Sequence, residues 1–169
     1  MLELVEPRSD VWAGLTVVLG NSHYKALHGK VSWSKERAIA CYTAALEVYT
    51  REAYPEMWAK AQTSLANAYS DRIRGDAAKN KELAIAGYTL ALELYNRDAY
   101  PEDWAMTQMN LASAYYSRIR GDAAENKELA IAGYTAALEV YTREAYPEDW
   151  AKTQMNLSLI HISEPTRPY

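Results

Sequence analysis

Two neighbouring histidines and the single cysteine are the residues of this chain with the greatest capacity for chemistry. His23 and His28 are five residues apart, whereas metal ligands on one helical face are three or four residues apart. Cys41 occupies the place that glycine takes in two related segments farther along the chain. We therefore interpret Cys41 as a small packing residue rather than a nucleophile. These residues predict neither a metal site nor a nucleophilic site.

Repeated acidic pairs and a glycine motif are further candidates. Glu102 and Asp103 directly follow a proline, where a helix is expected to begin and where negative charge is favourable. The recurring Gly-Asp-Ala-Ala segment, at Gly75 and Gly121, lacks the further glycines and the lysine–hydroxyl pair of a phosphate-binding loop. The sequence therefore predicts no enzyme, no cofactor and no metal.

Composition limits the classes of partner. The 169 residues carry a net charge of −4, which gives no reason to expect nucleic acid or an anionic membrane as a partner. The stretch at residues 15–19, apolar except for Thr16, is far too short to span a bilayer. The single cysteine and the lack of a signal-peptide pattern favour a cytoplasmic protein.

A tandem repeat organises the chain. The pattern Ala-Ile-Ala-x-Tyr-Thr-x-Ala-Leu-Glu begins at Ala38, Ala84 and Ala130, 46 residues apart. A tryptophan recurs at the same interval, at Trp12, Trp58, Trp104 and Trp150. A unit copied in tandem buries its apolar face against the next copy, which predicts stacked repeats.

Each unit is predicted to form an antiparallel pair of helices, here called helix A and helix B. In the third unit Pro101 favours a helix start, and apolar residues then recur at helical intervals. Gly121 is predicted to end helix A, which gives bounds of 101–120. Helix B is predicted over 126–144, with Leu129 on its apolar side. Each helix would contain about 18 residues and be about 27 Å long.

The predicted organisation has six segments. They are an N-terminal lead (1–8), a divergent first repeat (9–54), a second repeat (55–100), a third repeat (101–146), a truncated helix A of a fourth repeat (147–157) and a tail (158–169).

The C-terminal tail departs from the repeat. The string 157–167, Leu-Ser-Leu-Ile-His-Ile-Ser-Glu-Pro-Thr-Arg, resembles a translated adapter used to prepare sequencing libraries. We therefore expect the tail to be non-native and the fourth repeat to be incomplete. An incomplete C-terminal repeat would leave apolar surface through which the chain could self-associate.

The repeat resembles the tetratricopeptide repeat (TPR). The first-helix pattern of that family, leucine followed by a small residue and then tyrosine, appears in 65–69 and 111–115, and the second-helix pattern appears as Ala84, Tyr88 and Ala91. The resemblance implies a right-handed α-solenoid of antiparallel helix pairs. Two departures are the length of 46 rather than 34 residues and a tryptophan placed one turn earlier. Such long repeats resemble those of cyanobacterial-type proteins, which often carry a CHAT protease or a signalling NTPase domain.

The resemblance also implies a concave groove lined by helix A of each repeat, and hence a protein or peptide partner. In the first repeat the implied lining is Gly14, Val17, Asn21, Tyr24 and Lys25. In the second it is Lys60, Thr63, Asn67, Ser70 and Asp71, and in the third Met106, Met109, Ser113, Tyr116 and Ser117. The second and third repeats differ at 13 of 46 positions, and all five of these pairs are among them. This pattern favours a groove that reads an extended or helical peptide; the alternative is free drift of exposed positions.

The leading functional hypothesis is thus a protein- or peptide-binding scaffold, part of a larger repeat protein. One alternative is a regulatory array that controls a protease or signalling NTPase, and another is a structural spacer or self-assembly module. If the groove is correct, Met109→Glu should abolish partner binding and leave the helical signal intact.

Overall fold

The computed structural model describes residue 6, residues 8–25 and residues 31–162. Within these residues the chain forms seven helices and no strand, which confirms the all-α fold class. The helices are α1 (Asp10–Lys25), α2 (Val31–Ala45), α3 (Pro55–Ser70), α4 (Ala77–Leu92), α5 (Pro101–Tyr116), α6 (Ala123–Ala137) and α7 (Pro147–Ile162). His28 and residues 163–169 of the predicted tail lie outside the described residues.

The chain divides into two compact units. The first unit, Met1–Leu94, contains α1 to α4, and the second unit, Tyr95–Tyr169, contains α5 to α7. The odd-numbered helices correspond to the predicted helix A of each repeat, and the even-numbered helices to helix B.

Consecutive helices pack as antiparallel pairs, as the sequence predicts. In the first pair the Tyr42 hydroxyl donates to Asn21 Oδ1 at 2.7 Å, and the Tyr49 hydroxyl donates to the Asp10 carbonyl at 3.3 Å. Tyr42 lies in α2 and Tyr49 follows that helix, yet Tyr49 contacts the earlier residue of α1, so the two helices run antiparallel. Burial raises the pKa of Tyr42 to about 12, so its hydroxyl stays protonated and continues to donate.

Small residues set the close spacing within each pair. A Cβ atom added at Gly133 would lie 2.9 Å from Ala112 Cβ and 3.1 Å from the Gln108 carbonyl oxygen. The equivalent approach in the first unit is that of Gly87 to Ala66. Side chains larger than hydrogen at these positions would push the two helices apart.

The connection from helix A to helix B is fixed by a glycine and two polar side chains. Gly121 has φ +82°, a left-handed conformation that glycine adopts without strain. The Asp122 carboxylate then caps α6 by accepting from the Ala124 and Glu125 amides, both at 2.9 Å. The buried Asn126 side chain donates to a carbonyl of the connection. The same arrangement recurs before α4 in the first unit.

The helices are shorter than the sequence predicts, with 15 or 16 residues each rather than about 18. Helix A of the third repeat ends at Tyr116 rather than 120, so Gly121 belongs to the connection and does not cap the helix. Helix B begins at Ala123, because Asp122 caps it, and ends at Ala137 rather than 144. After Ala137 the amides of 139 and 140 bond three residues back, and this tighter winding ends the α-helix. Leu129, predicted on the apolar side, is 38 % exposed.

The first helices of successive repeats lie parallel and side by side within each unit. In the first unit the Tyr24 hydroxyl on α1 donates to Asp71, directly after α3, at 2.7 Å. In the second unit the Thr153 hydroxyl on α7 lies 3.3 Å from the sulfur of Met109 on α5. Each unit therefore presents a face formed by neighbouring A helices, which is where the sequence places the groove.

Candidate peptide-binding groove

In the first repeat, the predicted groove residues are already engaged in contacts within the chain. Val17 is half-buried and packs against two core clusters. Asn21 accepts the hydrogen bond from the buried Tyr42 hydroxyl, so its amide holds the helix pair together. Tyr24 binds Asp71. Gly14 is half-buried and Lys25 is exposed at the end of α1.

In the second repeat, only part of the predicted lining faces solvent. Lys60 and Asp71 are exposed. Asn67 accepts a hydrogen bond from the Tyr88 hydroxyl at 2.6 Å, and both the hydroxyl and the carbonyl oxygen of Ser70 lie 3.2 Å from Lys81 Nζ. The structure corrects the prediction for Thr63, which is 4 % exposed and donates to its own helix. Thr63 therefore belongs to the core.

A lysine of the chain occupies the end of this predicted surface. Lys35 Nζ lies 3.4 Å from the centroid of the Tyr24 ring and 3.4 Å from Asp71 Oδ2, and it donates to the Tyr24 carbonyl at 3.2 Å. Its side chain is only 12 % exposed. Two predicted groove residues thus form a binding site for an ammonium group of the chain itself, by a cation–π contact and an ion pair.

In the third repeat, the predicted residues differ in accessibility. Met106 is 36 % exposed, and Tyr116 and Ser117 are exposed at the end of α5. Ser113 is exposed. Met109 is only 5 % exposed and belongs to the core cluster of the second unit. Met109 therefore packs mainly in the core, and it contributes only a small exposed area to the predicted apolar patch.

A cleft of about 380 Å³ lies on the helix-A face of the second unit. It is lined by Glu102, Asp103, Met106, Met109, Asn110, Tyr141, Tyr146, Asp149 and Lys152. The first five belong to α5, the two tyrosines to the connection after α6, and the last two to α7. The cleft therefore brings together two of the predicted residues, Met106 and Met109, and seven that the groove prediction did not include.

The two tyrosines form an ordered wall of the cleft. The rings of Tyr141 and Tyr146 are tilted by 59° with centroids 5.5 Å apart. The Tyr146 hydroxyl donates to Glu102 Oε1 at 2.7 Å, which links this wall to the first turn of α5. Burial raises the pKa of Tyr141, and the carboxylates of Asp149 and Glu102 raise it further. The carboxylates thus make the electrostatic potential at the Tyr141 hydroxyl negative.

The cleft combines apolar surface with an excess of negative charge. Its carboxylates are those of Glu102, Asp103 and Asp149, and Lys152 is its one cation. Among the described residues, no hydrogen bond or ion pair engages the side chains of Asp103 and Asp149. Two carboxylates are therefore available to a ligand.

The described part of the chain offers little support for a metal site, a reactive thiol or a membrane-spanning helix. No group of three or more His, Cys, Asp or Glu side chains there is arranged to hold a metal ion. Cys41 is half-buried, and burial raises the pKa of its thiol, which disfavours the reactive thiolate. None of the helices described has both the length and the apolar character that crossing a membrane requires.

The sequence contained signals for the missed residues. Glu102, Asp103 and Asp149 lie in the first turns of α5 and α7, where helix-end electrostatics already accounts for negative charge. The replacement of Met57 of the second repeat by Asp103 is the signal that helix-end electrostatics does not explain. Tyr141 and Tyr146 are identical to their counterparts in the second repeat. A comparison based on differences between repeats could not select them.

Comparison with known proteins adds no assignment. No protein-family model matches the chain, and no curated protein or solved structure shows significant similarity to it.

Proposed function

We propose that this chain is a peptide-binding scaffold of the TPR type, in which the face formed by the first helix of each repeat holds the ligand. The repeat motifs, the antiparallel pairs and the parallel A helices within each unit support a right-handed solenoid of this class. The function does not require catalysis or a cofactor.

The observation that carries the proposal is the cleft between α5 and α7. It joins exposed thioether surface at Met106, an aromatic wall at Tyr141 and Tyr146, and carboxylates without internal partners. Apolar surface with a few convergent polar groups is characteristic of ligand sites, whose volumes run from about 300 to 1,000 Å³. Methionine adapts its shape to different side chains, which suits the binding of peptides.

Display of random 12-residue peptides on the immobilised full chain tests this proposal. Recovered peptides would be synthesised, and their affinity measured by fluorescence anisotropy for wild type and for Met106→Gln, which removes apolar surface without adding charge to the cleft. Because Met106 is 36 % exposed at the cleft, we expect this change to leave the helical signal unchanged and to weaken binding about tenfold.

Leu129→Gln is the matched control, since Leu129 is 38 % exposed on α6 of the same unit but does not line the cleft. Its affinity should remain within about twofold of wild type. Failure to recover any binding peptide, or equal losses in both variants, would contradict the proposal.

Self-assembly is a second candidate, favoured by an exposed stripe on α7. Met155 takes the repeat position of Met109 but is 58 % exposed, and Leu159 and Ile162 are exposed beside it at helical spacing. In the second unit the Met109 position is covered by an A helix, α7. We therefore propose a repeat helix of a second copy as the occupant of the Met155 stripe.

Sedimentation velocity over a range of protein concentrations tests self-assembly. The wild-type average mass should rise with concentration, and Met155→Glu should remain monomeric. A wild-type mass that stays monomeric at high concentration would remove this candidate.

A further inference from the structure

The acidic character of the cleft belongs to one part of the repeat array. Asp103 and Asp149 of the second unit occupy the repeat positions of Val11 and Met57 in the first unit. The other two charged positions of the cleft carry the same charge in both units, since Glu102 corresponds to Asp10 and Lys152 corresponds to Lys60. The second unit therefore sets three carboxylates against one lysine, where the first unit has one of each.

The geometry of the cleft favours a cation with an apolar stem. Glu102 is oriented by the Tyr146 hydroxyl at 2.7 Å, while the carboxylates of Asp103 and Asp149 have no hydrogen-bond or ion-pair partner among the described residues. The faces of tyrosine rings attract cations within about 6 Å. Met106, which is 36 % exposed, supplies apolar surface along which a methylene chain can lie.

The first unit contains an internal example of the same recognition. Lys35 places its ammonium group 3.4 Å from the Tyr24 ring centroid and 3.4 Å from Asp71 Oδ2. A tyrosine ring and a carboxylate thus suffice in this chain to hold a lysine whose side chain is 12 % exposed. The cleft of the second unit contains the half-buried ring of Tyr146 and three carboxylates, and the Tyr146 ring is in contact with that of Tyr141, which is only 5 % exposed.

A bare metal ion fits the cleft less well than an organic cation. The acidic side chains there do not form a group that could ligate one ion, as judged over the part of the chain that is described. A cleft of about 380 Å³ with an apolar floor leaves room for a whole side chain.

We infer that the cleft between α5 and α7 binds a basic side chain, lysine or arginine, presented by the partner peptide. The cation pairs with Asp103 and Asp149 against the Tyr141 and Tyr146 wall, and its stem lies over Met106. This inference rests on the proposed peptide-binding function and assigns the chemical class of the ligand residue.

The sequences of peptides recovered from the random library on the full chain provide the first test. We expect most of them to share one lysine or arginine position. Replacement of that residue by norleucine, which keeps the stem of lysine and removes its charge, should weaken binding about tenfold, equivalent to about 1.4 kcal/mol. Exchange of lysine for arginine in the same peptide distinguishes the two cations.

A variant of the protein links the effect to the cleft. Asp103→Asn combined with Asp149→Asn should weaken binding of the basic peptide about tenfold. It should leave the affinity of the norleucine peptide unchanged, because that peptide already lacks the cation with which the two aspartates pair. Glu128→Gln combined with Glu144→Gln removes equal charge from exposed sites of the second unit outside the cleft. That control should change the affinity less than about twofold.

The outcomes separate the two proposals. Peptides that bind without a shared basic residue, or whose affinity is insensitive to norleucine and to the paired aspartate change, would overturn the inference and leave the scaffold function standing. Failure to recover any binding peptide would overturn both. A loss of affinity in the charge control equal to that in the cleft variant would show only long-range attraction and would also overturn the inference.

Discussion

Met109→Glu is expected to unfold the second unit rather than to act only on ligand binding. Met109 is 5 % exposed, and its sulfur lies 3.3 Å from the Thr153 hydroxyl in a core cluster that includes Ile160. Loss of the buried methionine costs about 1.5–3 kcal/mol. The new carboxyl group must also be desolvated or protonated, which costs about 1–3 kcal/mol more by comparison with other buried polar substitutions. The sum, about 2.5–6 kcal/mol, is a large part of the stability of a typical domain.

Thermal unfolding followed by circular dichroism measures this loss. A shift of about 4–8 °C per kcal/mol predicts a fall in Tm of at least about 10 °C for a unit of this size. Met106→Glu is the control and should change Tm by only a few degrees, because Met106 is 36 % exposed. The loss should be smaller at acid pH than at neutral pH, relative to that control, because burial raises the pKa of the new carboxyl group and the folded state then binds the extra proton. An unchanged Tm together with lost peptide binding would refute the burial argument and restore Met109 as a ligand contact.

Three further changes test the packing on which the groove depends. Gly133→Ala places a Cβ atom 2.9 Å from Ala112 Cβ, so urea unfolding should show a loss of about 1–3 kcal/mol; an unchanged midpoint would contradict the close helix approach. Asn80→Ala removes the bond from its buried side chain to a carbonyl of the α3–α4 connection, and should cost about 1–3 kcal/mol, with faster amide exchange in that connection as the specific sign. The Glu36 carboxylate binds Arg72 through two bonds of 2.7 Å, which holds its pKa below the ordinary value of 4.5. Glu36→Gln should therefore be less stable than wild type at neutral pH, and the difference should disappear as the pH falls through the lowered pKa; a constant difference would contradict the ion pair.

The fold class and the helix pairs could be predicted because the evidence for them repeats along the chain. Three copies of one pattern in phase fix which segments are equivalent, and apolar spacing then indicates helices. The helix ends could not be predicted, since apolar residues continue beyond them. Val140 and Ile119 extend the helical pattern in sequence, yet both lie outside the helices. Local hydrogen bonds of the turns decide where the helices end.

The candidate site was predictable only in part, because differences between repeats have two physical origins. At Lys60 and Met106 the difference falls on an accessible surface. At Thr63 and Met109 it falls in the core, where the side chain must fit its neighbours. Sequence spacing places Lys60 and Thr63 on one face of α3, and Met106 and Met109 on the same face of α5. It does not show which of these residues the next helix covers. That information comes from the packing of α7 on α5.

The methionine methyl signals of the full chain offer the most direct measurement of the central claim. The sequence has five methionines, and Met106 and Met109 line the proposed cleft. With carbon-13 in the methyl groups, titration with a library-derived basic peptide should shift both signals, and the Asp103→Asn, Asp149→Asn variant should need about tenfold more peptide for the same shift. Binding of that peptide with the Met106 and Met109 signals unchanged would contradict the claim that this cleft holds the ligand.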